Sequence, residues 1–222
     1  MVRAFFIQTL KQGQWRILYS RFYGPDAMPT AQDKGIFSEE HDGIYFSPNE
    51  ADDDNDDTQT TQVPKDVRTG RLKTCRTVCT KIQEAYSFRL KVTNRNVDQE
   101  LKALLNEGIM PGYELGFFRL ADSSCSSHEG IVIWMGALDC CFSLLLDKYD
   151  NRLTAETVLT MLVNYVHRYC EAFSKPQELV HRLDKVTVIL EQFLPMGQLN
   201  IMNHRVVRQL VKELEAKMKV IG

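Results

Sequence analysis

Two hydrophobic periods alternate along this chain and divide it into strands and helices. Val2 to Thr9 and Trp15 to Tyr23 are runs of branched and aromatic residues that meet at Gly13, the pattern of a β-hairpin. Phe5, Phe6 and Ile7 are consecutive, so this strand is apolar on both faces, which predicts a central strand with helices above and below it. The most organised stretch is Gly130 to Phe173. There Ile131 to Trp134 and Cys141 to Leu146 predict two antiparallel strands joined by a turn at Gly136-Ala137-Leu138-Asp139. Tyr149-Asp150-Asn151 closes the second strand, and Thr154 is placed to N-cap a helix over Thr154 to Phe173. Ala155, Val158, Leu159, Leu162, Val166, Tyr169, Cys170 and Phe173 recur at helical spacing on its inner face. This strand, strand and covering helix form the predicted centre of the core.

The remaining segments fit around that centre. Val67 to Leu90 reads as a helix with Leu72, Cys75, Cys79, Ile82 and Tyr86 in one apolar stripe. Asn94 to Gly112 holds a weaker pattern: Leu101, Leu104 and Leu105 predict a short helical turn, ended by Gly108 and the turn at Pro111-Gly112. Tyr113 to Leu120 is a third strand of the alternating kind, and Ala121 to Glu129 a polar loop. Ser174 and Gln177 stand at capping-box spacing before a helix whose face is Leu179, Leu183, Val186, Ile189, Leu190 and Phe193. Leu194-Pro195-Met196-Gly197 stops it, Gln198 to Met202 reads as extended, and a last helix begins at about Asn203, with Val207, Leu210, Val211, Leu214 and Met218 on one side. The order is β-β-α-β-β-β-α-α plus a C-terminal helix. It predicts an α/β three-layer sandwich with a five-stranded, mainly antiparallel sheet between helices.

Length and charge refine this picture. At 222 residues, 44% hydrophobic and 25% charged, the chain suits one soluble domain over residues 1–222, with the C-terminal helix at 203–220. No secretory signal is evident, and the apolar stretch from Ile131 to Leu146 carries Asp139 and falls short of the ~20 residues that span a bilayer. The net charge of −2 hides an asymmetry. Residues 24–66 hold twelve acids against two lysines, a charge of −10, which leaves +8 on the rest. So acidic and Pro/Gly-punctuated a segment cannot bury enough surface to offset its ordering entropy, and residues 24–66 are expected to be a disordered acidic insertion.

Candidate chemistry is sparse. Thr69-Gly70-Arg71-Leu72-Lys73-Thr74 lacks the glycine and the Gly-Lys-Ser/Thr ending of a phosphate loop and reads as a helix start. Counted from Asp52, the acidic run has Asp57 where a calcium loop needs Gly and Val63 where it needs a bidentate Glu. Of the histidines, His41, His128, His167, His181 and His204, none stands at metal-ligand spacing from another His or a Cys. The six cysteines include no C-x-x-C pair and read as small core residues of a reducing compartment. Cys125 beside His128 is the one nucleophile–base pairing, weighed against a flexible serine-rich loop with no orienting third group. The outer side of the first helix carries Lys73, Lys81 and Lys91, with Arg71 and Arg76 at its flanks. It could meet an acidic partner or an anionic leaflet, or be a solvated face. No base-reading motif points to nucleic acid.

Several stretches carry a resemblance: M-V-R-A-F-F-I-Q-T-L and R-I-L-Y-S-R-F-Y-G, then I-V-I-W-M-G-A-L and F-S-L-L-L-D-K-Y-D-N-R-L-T-A-E, and last Q-F-L-P-M-G-Q-L-N-I-M-N, in which Phe193, Leu194 and Gly197 fit a helix-ending pattern. In this order and spacing the chain resembles the sigma, or small, subunits of the adaptor-protein complexes of vesicle traffic, closest to that of the fifth complex. The resemblance implies a longin-type fold and no enzymatic activity, cofactor or metal. It implies partnership with two large adaptin-like subunits and a medium subunit, and, by family, with the scaffold proteins spatacsin and spastizin. It further implies a cytosolic complex, peripheral on late endosomes and lysosomes, that retrieves cargo toward the Golgi. No partner-binding residue is assigned by it. The rival expectations are a free-standing longin-type trafficking regulator and a thiol-dependent enzyme.

Overall fold

The computed structural model describes residues 1–10, 15–24, 65–120, 129–200 and 203–221. The strands are β1 (Val2–Thr9), β2 (Ile17–Phe22), β3 (Glu114–Leu120), β4 (Gly130–Ala137) and β5 (Cys140–Asp147). They form one five-stranded sheet in the order β2-β1-β5-β4-β3, with every neighbouring pair antiparallel. The hairpin β4–β5 sets the register, with Ile133 opposite Leu144 and Trp134 opposite Ser143. β1, apolar on both faces, pairs with β5 on one side and β2 on the other, the central place its sequence predicts.

Alternation along the strands divides the core in two. Phe5, Ile7, Ile133, Phe142 and Leu144 face one side, and Phe6, Val132, Trp134, Cys141 and Leu145 the other. Adjacent Cys140 and Cys141 accordingly fall into different cores. Among the described residues, helix α1 (Lys65–Thr93) alone roofs the second side, through Cys75, Val78, Cys79, Ile82 and Tyr86. The first side is covered by α2 (Val97–Glu107), α3 (Arg152–Cys170), α4 (Leu183–Phe193) and, through Leu214 and Met218, α5 (His204–Ile221). The result is the three-layer α/β sandwich expected of a longin-like fold, with α3 burying Ala155, Val158, Leu159, Leu162, Val163, Val166 and Cys170. Each such Val or Leu contributes about 1.5–3 kcal/mol relative to exposure.

The structure corrects four local expectations. Asn151, not Thr154, caps α3: its Oδ1 accepts the N–H groups of Leu153 and Thr154 at 3.0 and 3.2 Å, so Thr154 already lies inside the first turn. The helix stops at Cys170, because Glu171 adopts a left-handed conformation at φ 54°, and Phe173 folds back into the core from outside the helix. No capping box forms at Ser174 and Gln177. Lys175 takes the cap position without a side-chain bond, because Pro176 occupies the first helical place; this puts Gln177 one residue too early to reach back. The segment Pro176–Arg182 is a 3-10 helix that continues as α4. The short turn expected around Leu101 to Leu105 is instead the eleven-residue helix α2, started by Asn96 Oδ1 accepting the Gln99 N–H at 3.2 Å. Leu104, Leu101 and Val97 pack it on the larger core, and tertiary burial thus extends a weak local pattern.

At the end of α4, Gly197 has φ 74°, and a Cβ there would sit 2.7 Å from the Cβ of Tyr23 and from the Val2 carbonyl. Only glycine lets this turn press against β1 and the end of β2. The hairpin turn at Gly13 and most of the acidic insertion, residues 25–64, lie outside the described residues.

Candidate partner-binding surface

The thiols are placed for packing. Cys75, Cys79, Cys140, Cys141 and Cys170 are all buried and free. Burial pushes the Cys75 thiol up to about 12 and the Cys170 thiol up to about 11, and raises the other three as well. A thiol held neutral at physiological pH is a poor nucleophile. Cys125 and His128 lie outside the described residues. Among the described residues no group of His, Cys, Asp and Glu is arranged to hold a metal ion. A cleft of about 320 Å³ opens beside Thr9, Asp139 and Ser174 to Glu178, and its Lys175 and Glu178 are paired with each other at 3.2 Å. No helix of the described residues is long and apolar enough to cross a membrane.

What the structure does present is surface. The two edges of the sheet differ. β2 is clasped by the α4 side: the Tyr19 and Thr187 hydroxyls are 3.4 Å apart, and Arg21 reaches Glu191 at 3.4 Å. β3 has no described strand on its outer side. Phe117 points to the α3 face, 59% exposed, with the Arg152 guanidinium 4.2 Å above its ring, and Phe118 points to the α1 face under the Lys81 ammonium at 5.6 Å. Gly116 stands opposite Trp134 and leaves room for its indole to lie across β3: a Cβ there would lie 2.4 Å from the ring.

Beside this edge, apolar side chains stand in water. Phe88 and Val92 are 68% and 67% exposed, one helical turn apart on the flank of α1. Leu105, Ile109 and Met110 are exposed on α2 and the segment after it. The backbone beneath them is held by two arginines. Arg95 donates to Glu100 at 2.5 and 2.8 Å, to Glu114 at 2.9 Å and to the Gly112 carbonyl at 2.6 Å; the bonds to Glu100 above all raise its pKa further. Arg89 donates to the Leu115 carbonyl, lies 3.5 Å from Glu114 and stacks over Trp134 at 5.1 Å. These contacts tie α1, α2 and β3 into one support for the exposed residues.

The basic face of α1 is narrower than the sequence suggests. Lys73 and Lys91 are exposed on the side opposite the core and make no ion pair among the described residues. Lys81 lies instead on the flank toward Phe118, because 100° per residue carries it about a quarter-turn away from the other two. The Phe88 and Val92 pair was legible as an apolar couple off the main stripe. The Arg95 clasp was not, since its carboxylates lie at positions 100 and 114.

The family model described as AP-5 complex subunit sigma-1 matches residues 1–215. The human AP-5 complex subunit sigma-1 (Homo sapiens) is 28% identical over 222 residues, covering 97% of this chain and 98% of that protein.

Proposed function

The chain belongs to the AP-5 complex subunit sigma-1 family, and from that premise we propose that it is the non-enzymatic small subunit of a heterotetrameric adaptor complex in vesicle-mediated protein transport. Its partners in this reading are two large adaptin-like subunits and one medium subunit. The complex works in the cytoplasm, peripherally on late endosomes and lysosomes, retrieving cargo toward the Golgi with spatacsin and spastizin. The observation that carries the proposal is the family match along nearly the whole chain, from strand β1 into helix α5. The surface supports it. A subunit that works by being held in an assembly presents apolar side chains for partners to cover, and Phe88, Val92, Leu105, Ile109 and Phe117 are more than half exposed. The five described cysteines are buried, which argues against a thiol enzyme built on any of them; Cys125 lies outside the described residues.

Co-expression tests the assembly. The chain, produced with the two large and one medium adaptor subunits of its own source, is expected to elute with them as one particle of equal stoichiometry. Elution of the other three without it, under conditions where other adaptor tetramers stay intact, contradicts the proposal and favours a free-standing longin-type regulator.

A further inference from the structure

Helix α5 carries two opposed stripes. Leu214 and Met218 are buried and Val207, Leu210 and Val211 half-buried on its inner side, which joins the larger core. On the outer side Arg205, Arg208, Lys212 and Lys219 are all exposed, and none makes an ion pair among the described residues. At 100° per residue these four fall within about 60° of one another, in a line about 21 Å long. The two carboxylates of α5 are turned aside: Glu213 accepts from Gln192 and Gln209 at 2.8 Å each, and Glu215 lies 3.8 Å from Arg168 of α3. Between Lys212 and Lys219 the stripe is bordered by Ala216 on one side and on the other by Glu215, which faces Arg168.

We propose that the outer face of α5 binds an anionic bilayer surface, with the headgroups of acidic phospholipids as its ligand. The composition of the stripe selects this ligand over a protein. Protein interfaces centre on aromatic and apolar anchors and are depleted in lysine. This stripe has four cations and no large apolar residue, set in a straight line. A fluid anionic surface needs only charge at a common level, and supplies it anywhere along the line. The basic side of α1 does not match it: Lys73 and Lys91 are separated by eighteen positions, and exposed Glu84 lies on the same side between them. The inference stands apart from the adaptor reading, since it rests on α5 alone.

Flotation of the full chain with phosphatidylcholine vesicles, with and without phosphatidylserine, tests it. The expected result is binding only where phosphatidylserine is present, weakening as salt is raised. In the variant R205Q/R208Q/K212Q binding falls roughly 100-fold, since each cation near the surface is worth about a factor of five. In K73Q/K91Q it is unchanged. The substituted side chains are exposed, so both variants are expected to melt with the wild type, and a thermal scan separates lost binding from lost folding. The proposal is overturned if the wild-type chain does not float, if the triple variant binds as the wild type does, or if the two variants lose binding equally. It is also overturned if the triple variant keeps vesicle binding and loses a protein subunit instead, which would make the stripe a protein interface.

Discussion

On the α3 side of the sheet several helices share the cover, and the core between them is almost wholly aliphatic and aromatic. On the α1 side one helix of about 10 Å diameter must cover five strands spaced about 4.8 Å apart, and it cannot reach both edges. Long cations extend its reach. Arg71 lies 5.4 Å from the Phe22 ring near one edge, Lys81 lies over Phe118 near the other, and Arg89 lies over Trp134. Their aliphatic stems shield rings that the helix leaves open, while their charges stay at the surface. The single-helix side is thus held by a few large side chains, whereas the many-helix side spreads its stability over many.

The largest test of that contrast is at Trp134, which is 1% exposed between Tyr86, Arg89 and Gly116. Trp134→Ala is expected to lower unfolding free energy by about 3–5 kcal/mol in urea melts. Gly116→Val should be comparably damaging alone but add much less in the Trp134→Ala background, because the two changes contest the same space. Strict additivity would show that Gly116 is not the seat of the indole.

Next in size is the alkaline limb of stability. Cys75 has an ordinary value of 9.0 and is pushed up to about 12 by burial in the α1-side core. Above pH 9 the unfolded chain releases the thiol proton and the folded chain keeps it. Stability contributed by this group is therefore complete below pH 9 and is lost between pH 9 and about 12, at up to about 1.4 kcal/mol per pH unit. Cys75→Ala is expected to make that limb shallower in a pH series of melts, the other buried thiols keeping the rest, and an unchanged slope would mean the thiol is reached by water in the folded state.

A smaller effect belongs to the other side. Asn151→Ala should remove about 1 kcal/mol by uncapping α3, while Thr154→Ala should remove well under that. Equal losses would restore Thr154 as the cap. The smallest effect is an acid one. His167 is half-buried against the Phe173 ring at 5.0 Å and accepts the Phe173 N–H on Nδ1 at 3.4 Å; burial lowers its pKa below 6.5. Neutral His167 thus stabilises the fold above pH 6.5, and that stability is lost as the pH falls through its lowered value. His167→Gln, which keeps an acceptor without the charge, is expected to weaken this acid dependence.

Much of this fold was legible because its strands and long helices obey one period each. Phe5, Phe6 and Ile7 announced a strand buried on both faces, and Cys75, Cys79, Ile82 and Tyr86 announced the inner side of α1. What escaped depended on backbone geometry or on distant partners. The choice of Asn151 over Thr154 as cap turned on where the chain leaves its turn, and the 3-10 helix after Lys175 on a proline that moved the cap by one place. The length of α2 came from tertiary burial of Leu104, which no local window contains. The candidate surface was harder still. Exposure of Phe117 requires knowing that β3 is an edge, and strand order is not written in any strand. Arg95 reads as an ordinary loop cation until Glu114 is brought to 2.9 Å. The basic stripe of α5, by contrast, follows from helical spacing alone once the helix is granted.

Whether this chain lives inside an adaptor complex is tested most directly by affinity purification of the tagged chain from its own cells, with quantitative mass spectrometry of what accompanies it. Two large adaptin-like chains and one medium chain are expected in amounts equal to the bait. Recovery of the bait alone, in a preparation that keeps other adaptor tetramers whole, would contradict it.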